Sequence, residues 1–196
     1  MLRKIKIKGY KSLTDVDVRL NPLSVLFGTN AAGKSNFLDA LQLLSGIAAG
    51  RTLKAAFEPP YRGKPLESFT FGKEGVKGLL TQKSISFSME ADVELSDAVV
   101  ESVTHQIHAL PSELKHHETS VREKYMRYRI EIEMLPKSGE LRVSDEYLAA
   151  LDKNGNISQN RRPFLEKIKG QLCLRTEGHA HQTCYDSHPD HSILSI

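Results

Sequence analysis

Eight consecutive residues, Gly28-Thr29-Asn30-Ala31-Ala32-Gly33-Lys34-Ser35, carry the spacing G-x-x-x-x-G-K-S. Glycines at both ends let a short loop wrap so that its backbone N–H groups converge on one centre, a geometry that suits oxyanions. A helix starting at the last residues adds its positive end. Lys34 then reaches the β- and γ-phosphates as a point charge, and the Ser35 hydroxyl ligates Mg2+. The expected ligand is a nucleoside triphosphate, ATP with Mg2+, held by a Walker A-type loop.

That chemistry needs a strand before the loop and a helix after it, and the pattern supplies both. Leu23 to Phe27 is a short continuous apolar run, as expected for a strand buried on both faces. From Lys34 to Leu44, Phe37, Leu38, Leu41 and Leu44 recur at helical spacing, with Gly46 or Gly50 as the expected end. Upstream, Ile5 and Ile7 alternate with lysines, and Val16, Val18 and Leu20 alternate with charged residues, so two strands flank a turn over residues 9–14. Asn21-Pro22 breaks the second strand.

The segment from Leu2 to Leu44 resembles the N-terminus of the RecF/SMC/OLD-like ATPases, whose ABC-type heads are often described as AAA ATPases. The residues that carry the likeness are Ile5-Lys6-Ile7-Lys8-Gly9-Tyr10-Lys11-Ser12-Leu13, Asp15-Val16 and Leu23-Ser24-Val25-Leu26-Phe27. The loop and Asn36-Phe37-Leu38-Asp39-Ala40-Leu41 complete it. The resemblance implies that Lys11, Ser12 and Asn36 belong to the nucleotide site with the loop residues. Ala31 stands where many members have glycine, and its Cβ tolerates positive φ less well. Gln82 is a candidate for the glutamine that senses the γ-phosphate and its metal in such heads.

A hydrolytic head also needs an apolar run ending in Asp-Glu, to hold Mg2+ and polarise water, and a signature segment that closes the site from a second subunit. Asp145-Glu146 are the only catalytic candidates, and they follow Leu141-Arg142-Val143-Ser144, an alternating stretch that reads as a solvated strand end. Leu43-Leu44-Ser45-Gly46 has the letters of a signature but closes the first helix, where a glycine cap is the simpler reading. The expectation is an ATP-binding head without its catalytic half, completed by a homo-oligomer or a separate subunit. The alternative is a nucleotide-binding regulatory or assembly module with no hydrolysis of its own.

The remaining chain fits an α/β fold of the P-loop NTPase type, a head lobe whose mixed β-sheet packs on the P-loop helix. Four regions follow in order: a P-loop core over residues 1–50, irregular loops over 51–83, antiparallel strands over 84–160 and a histidine-rich tail over 172–196. Alternation marks strands at 84–95, 125–135 and 141–148; residues 97–110 read as a helix and Lys153-Asn154-Gly155-Asn156 as a hairpin turn. His179, His181, Cys184, His188 and His191, with Cys173 nearby, are zinc-ligand types in a spacing that matches no structural site, and no stoichiometric zinc is expected.

Composition agrees with a soluble domain: 39% hydrophobic, 26% charged, net charge +3. No apolar run approaches the roughly 18–20 residues that span a bilayer, and the basic start is not followed by a secretory h-region. Two cysteines are no disulfide framework and fit a reducing cytosol, so the expected location is cytoplasmic. Lys4, Lys6, Lys8 and Lys11 form a basic row that could meet DNA phosphates; the competing reading is the wet side of a charged edge strand.

Overall fold

The computed structural model describes residues 1–49, 52–109, 121–157, 161–175 and 182–186. Its frame is one eight-stranded sheet. The strands are β1 (Leu2–Tyr10), β2 (Leu13–Arg19), β3 (Ile85–Glu94), β4 (Tyr125–Leu135), β5 (Glu140–Ala150), β6 (Leu165–Ile168), β7 (Gln171–Arg175) and β8 (Gln182–Asp186). They lie in the order β2-β1-β3-β4-β5-β6-β7-β8, and every neighbouring pair is antiparallel.

Period-2 alternation decides what each face of the sheet does. Ile5 and Ile7 on β1, Phe87 and Met89 on β3, and Ile130 and Ile132 on β4 are all buried on the same side. Against them lies α1 (Lys34–Ala49), whose buried Phe37, Ala40, Leu43 and Ile47 recur at helical spacing. This helix, with the buried Leu53, Phe57, Tyr61, Phe69 and Leu79 of the segment that follows it, closes the core over one sheet face, and the start of α1 lies near the β1–β2 turn. Gly33, at the head of α1, packs there: a Cβ on it would lie 3.2 Å from Leu13 Cδ2 and 3.3 Å from Ser12 Oγ.

Several expectations change. Of the two expected ends, Gly46 lies inside α1, which continues to Ala49, the residue before Gly50; a Cβ on Gly46 would meet α2 (Leu53–Ala56) at an ordinary 3.4 Å from Ala56. Residues 52–83, expected as irregular loops, hold α2, a 3-10 turn at Pro65–Ser68 and α3 (Gly75–Leu80). These pieces are too short for periodicity to reveal. The helix expected at 97–110 is α4 (Asp97–Ala109). Strands β6, β7 and β8 lie where no strand was expected.

The largest departure is at 23–27. The run is not a strand, and Leu23, Val25 and Phe27 are 83%, 74% and 90% exposed. A strand buried on both faces needs neighbours at its edges and layers above and below, and among the described residues the chain supplies none here. The sheet was expected to be mixed; its pairings are antiparallel because the one segment suited to parallel pairing joins no strand. Finally, Cys173 on β7 and Cys184 on β8 face each other in register and form a disulfide, contrary to the expectation of two unlinked thiols.

Candidate nucleotide-binding site

The loop between Phe27 and α1 bends through three residues of positive φ: Gly28 at +150°, Ala31 at +66° and Gly33 at +87°. Two are glycines, as the turn requires. Ala31 holds a left-handed conformation despite its Cβ, at a typical cost of about 1–2 kcal/mol. Residues 28–32 are solvent-exposed. The Lys34 ammonium folds back over the loop, donating to the carbonyls of Gly28 (2.8 Å) and Thr29 (2.7 Å). Ala32 N–H donates to Thr29 O, and Phe37 N–H to Gly33 O, the first turn of α1. The cation, the loop backbone and the N-terminal end of a 16-residue helix therefore meet at one exposed surface.

The β1–β2 turn abuts this surface. Asn36 Nδ2 donates to Ser12 Oγ at 2.7 Å, tying the turn to the first turn of α1. Lys11 has φ +47°, uncommon for a residue with a Cβ, and three bonds hold it there. Its N–H donates to Ser68 O (2.9 Å), its carbonyl accepts from Thr70 Oγ1 (2.8 Å), and its ammonium donates to Asp39 Oδ2 (2.8 Å). The ammonium also donates to Arg62 O (3.0 Å) and lies over the Tyr61 ring. The resemblance put Lys11 and Ser12 in the nucleotide site. Ser12 stands against the loop, whereas the Lys11 charge is engaged by protein groups below it.

The sequence reading used Asp39 only as part of the resemblance, with no function assigned to it, and did not single out Arg62. Asp39 lies on the core-facing side of α1 and is only 4% exposed. It takes Lys11 on one oxygen and the Arg62 fork on the other, through Nε (2.9 Å) and Nη2 (2.7 Å). Burial alone would raise its carboxyl pKa, but the hydrogen bonds and charges of Lys11 and Arg62 outweigh this and hold it below the usual carboxylate value. An acid on the apolar stripe of α1 was a usable signal, since a buried carboxylate needs a partner. Arg62, in an irregular loop, offered no such signal. Beneath them Tyr10, Tyr61 and Ser68 form a buried chain of hydroxyls, 2.8 Å and 2.5 Å apart, and burial followed by the Tyr61 hydrogen bond drives the Tyr10 pKa far up.

Residues 1–133 match a family model described as the AAA ATPase domain. That span exceeds half of the 196 residues and contains the loop, α1 and the clamped β1–β2 turn. The chain belongs to the AAA ATPase domain family. Among curated proteins, it is 39% identical over 46 residues to an OLD nuclease of Thermus scotoductus, covering 24% of this chain and 9% of that protein. It is 30% identical over 95 residues to the DNA replication and repair protein RecF of Gloeobacter violaceus, covering 48% and 23% respectively. The chain thus spans less than a quarter of either relative. A solved SMC ATPase, from work on ATP-driven dimerization and DNA-stimulated activation, aligns with TM-score 0.42 and 17% identity over 81% of this chain and 72% of that one. The family match over residues 1–133, with the OLD nuclease and RecF relatives, meets the likeness to RecF/SMC/OLD-type heads expected from the sequence, and with it the α/β P-loop NTPase fold class.

In this AAA ATPase domain the other candidates do not gather at the loop. Asp145 and Glu146 lie on β5, three strands from β1 and so on the order of 14 Å across the sheet. They point to opposite faces. Asp145 pairs with Arg129 (2.8 Å) on the charged face, while Glu146, 1% exposed, accepts from Tyr128 Oη (2.7 Å) on the core face. Gln82 caps its own helix, with its N–H to Leu79 O and its side chain 3.5 Å from Gly78 O. The basic row is matched by acids: Lys4 pairs with Asp17 and Lys8 with Asp15. His179, His181, His188 and His191 lie outside the described residues, and Cys184 in a disulfide offers no thiolate to zinc. Among the described residues no helix is long and apolar enough to cross a membrane.

Proposed function

We infer that this chain is the nucleotide-binding part of an ATPase head whose catalytic half comes from outside the residues described here. The loop from Gly28 to Ser35 grips the triphosphate, and Lys34 transfers its hydrogen bonds from the Gly28 and Thr29 carbonyls to the β- and γ-phosphates. Asn30 to Asn36 contribute backbone N–H groups at the start of α1, and Ser12 lines the same surface. Bound Mg2+ would neutralise charge between the β- and γ-phosphates. Ser35 fits a magnesium ligand, because its hydroxyl is exposed and makes no hydrogen bond among the described residues. The carboxylates of Asp39 and Asp145 are engaged by cations, so further ligands must come from phosphates, water and the missing half.

The observation that carries this reading is the exposed run from Leu23 to Phe27 immediately before the loop. Covering a single Leu, Val or Phe side chain is worth roughly 1.5–3 kcal/mol, so covering Leu23, Val25 and Phe27 is worth on the order of 5–9 kcal/mol. A partner strand layer would gain that and would bring its own acids to the γ-phosphate side of the loop. The partner is a homo-oligomer or a separate segment or subunit. The relatives' names support work on DNA, in repair or in defence against foreign DNA, as the setting of the complete protein. The second reading, a nucleotide-binding module without hydrolysis, is favoured by the same distance of Asp145 and Glu146 from the loop.

The test is nucleotide titration and steady-state phosphate release on the purified chain, with Lys34→Ala as control. The expected result is ATP binding that Lys34→Ala weakens strongly, with turnover far below about 1 per second. Equal affinity in wild type and variant would remove the nucleotide assignment. Turnover near that rate, abolished by Lys34→Ala, would show the catalytic half to be present already.

A further inference from the structure

Three pieces of chain with no sequence proximity meet at Asp39: the β1–β2 turn through Lys11, the first turns of α1, and the 57–64 loop through Arg62. The bonds are short and mutual. Lys11 and Arg62 each take a different carboxylate oxygen, and Lys11 Nζ also holds the Arg62 carbonyl. Arg62 Nη2 further approaches Ser35 O at 3.4 Å, one helical turn above Asp39. Lys11 keeps a left-handed backbone only because its surroundings over-determine it. The neighbouring Ser12 and Leu13 are the atoms that would meet a Cβ on Gly33. Position therefore passes from Asp39 through Lys11 to Ser12, and from Ser12 to Gly33 and Asn36.

We propose that Asp39 and Arg62 are positioning residues for nucleotide binding: they clamp the Lys11–Ser12 turn against Gly33 and Asn36, which sets the shape of the phosphate loop without touching the nucleotide. The proposal rests on the nucleotide-binding reading. Asp39 is a negative charge one turn from an anion site, so simple electrostatics disfavours it there. Two cations share its one carboxylate, which leaves the group net positive and makes the acid tolerable. Arg62 is suited to close the clamp from outside: it is 62% exposed in its side chain, while Lys11 and Asp39 are enclosed.

The geometry gives a test by sign. Asp39→Asn removes a negative charge beside the phosphates, so a purely electrostatic role predicts tighter ATP binding. The clamp predicts the opposite, because an amide cannot hold two cations: affinity falls roughly tenfold, the scale of one charge-assisted hydrogen bond. Titration with a fluorescent ATP analogue on the full chain reads this, at a temperature where circular dichroism shows each variant folded. Unchanged or tighter binding by Asp39→Asn overturns the proposal. Absence of binding by wild type removes the nucleotide reading instead, so the two failures are separable. If Asp39→Asn does not fold, Arg62→Ala decides, because its side chain is largely exposed. At 1 M salt the screening length is about 3 Å, which removes a through-space effect of the arginine but not a mechanical one. A loss of about threefold or more relative to wild type that persists at that salt supports the clamp, and a loss that vanishes overturns it.

Discussion

Replacing Gly33 by alanine tests how finely the loop is fitted to the turn beside it. Gly33 has φ +87°, and an L-residue pays about 1–2 kcal/mol to stay in that region. The new Cβ would lie 3.2 Å from Leu13 Cδ2 and 3.3 Å from Ser12 Oγ, so the turn must retreat by a few tenths of an ångström. Leu13 is buried and cannot give easily, and moving Ser12 weakens its 2.7 Å bond from Asn36, worth about 0.5–1.5 kcal/mol. The sum is about 1.5–3.5 kcal/mol. If it falls on the binding geometry, ATP affinity drops roughly 10- to 400-fold. Gly46→Ala is the matched control: it is helical, its φ is not positive, and its Cβ meets Ala56 at an ordinary 3.4 Å. Titration with a fluorescent ATP analogue, alongside thermal unfolding, reads both variants. Gly33→Ala binding within about threefold of wild type would refute the argument that this glycine sets the loop against the turn.

Three further outcomes follow from the same geometry. Ala31→Gly should raise thermal stability by about 1 kcal/mol by relieving the left-handed alanine, read by denaturant unfolding; a loss of stability would mean that unfolded-chain entropy outweighs that strain. Ser35→Ala should weaken ATP binding more in magnesium than in EDTA, and equal losses in both buffers would exclude the hydroxyl as a metal ligand. Phe27→Ser should reduce self-association in sedimentation measurements while leaving nucleotide affinity within about twofold; unchanged association would mean that the exposed run is not the contact surface.

What the sequence disclosed was whatever is local. The alternation of Ile5 and Ile7 with lysines, the helical stripe from Phe37 to Leu44, and the loop between them need only neighbours a few residues away to be recognised. Leu23 to Phe27 failed as a prediction for the complementary reason: apolarity says that a segment wants burial, not that the same chain can provide it. The Asp39 clamp was hidden because its three members are spread from residue 11 to residue 62, and only α1 packing on the sheet brings them together. Cys173 and Cys184 have no spacing signature, and they pair because β7 and β8 happen to place them opposite each other. The bulge at Ser144 of β5, opposite Glu131 and Ile132 of β4, is likewise invisible in the letters, although it helps decide which face Asp145 and Glu146 adopt.

The sheet face turned away from α1 carries cross-strand pairs of opposite sign: Lys4 with Asp17, Lys8 with Asp15, Arg127 with Asp92 and Glu90, Arg129 with Asp145, and Arg142 with Glu133. Each pair is a small dipole with little net charge. The field of such an array dies away faster than that of a single charge, and physiological salt screens what is left within about 8 Å. To a phosphodiester backbone approaching from solution, this broad surface is nearly mute. A surface so paired offers a passing polyanion little net charge to grip and offers like molecules little mutual repulsion.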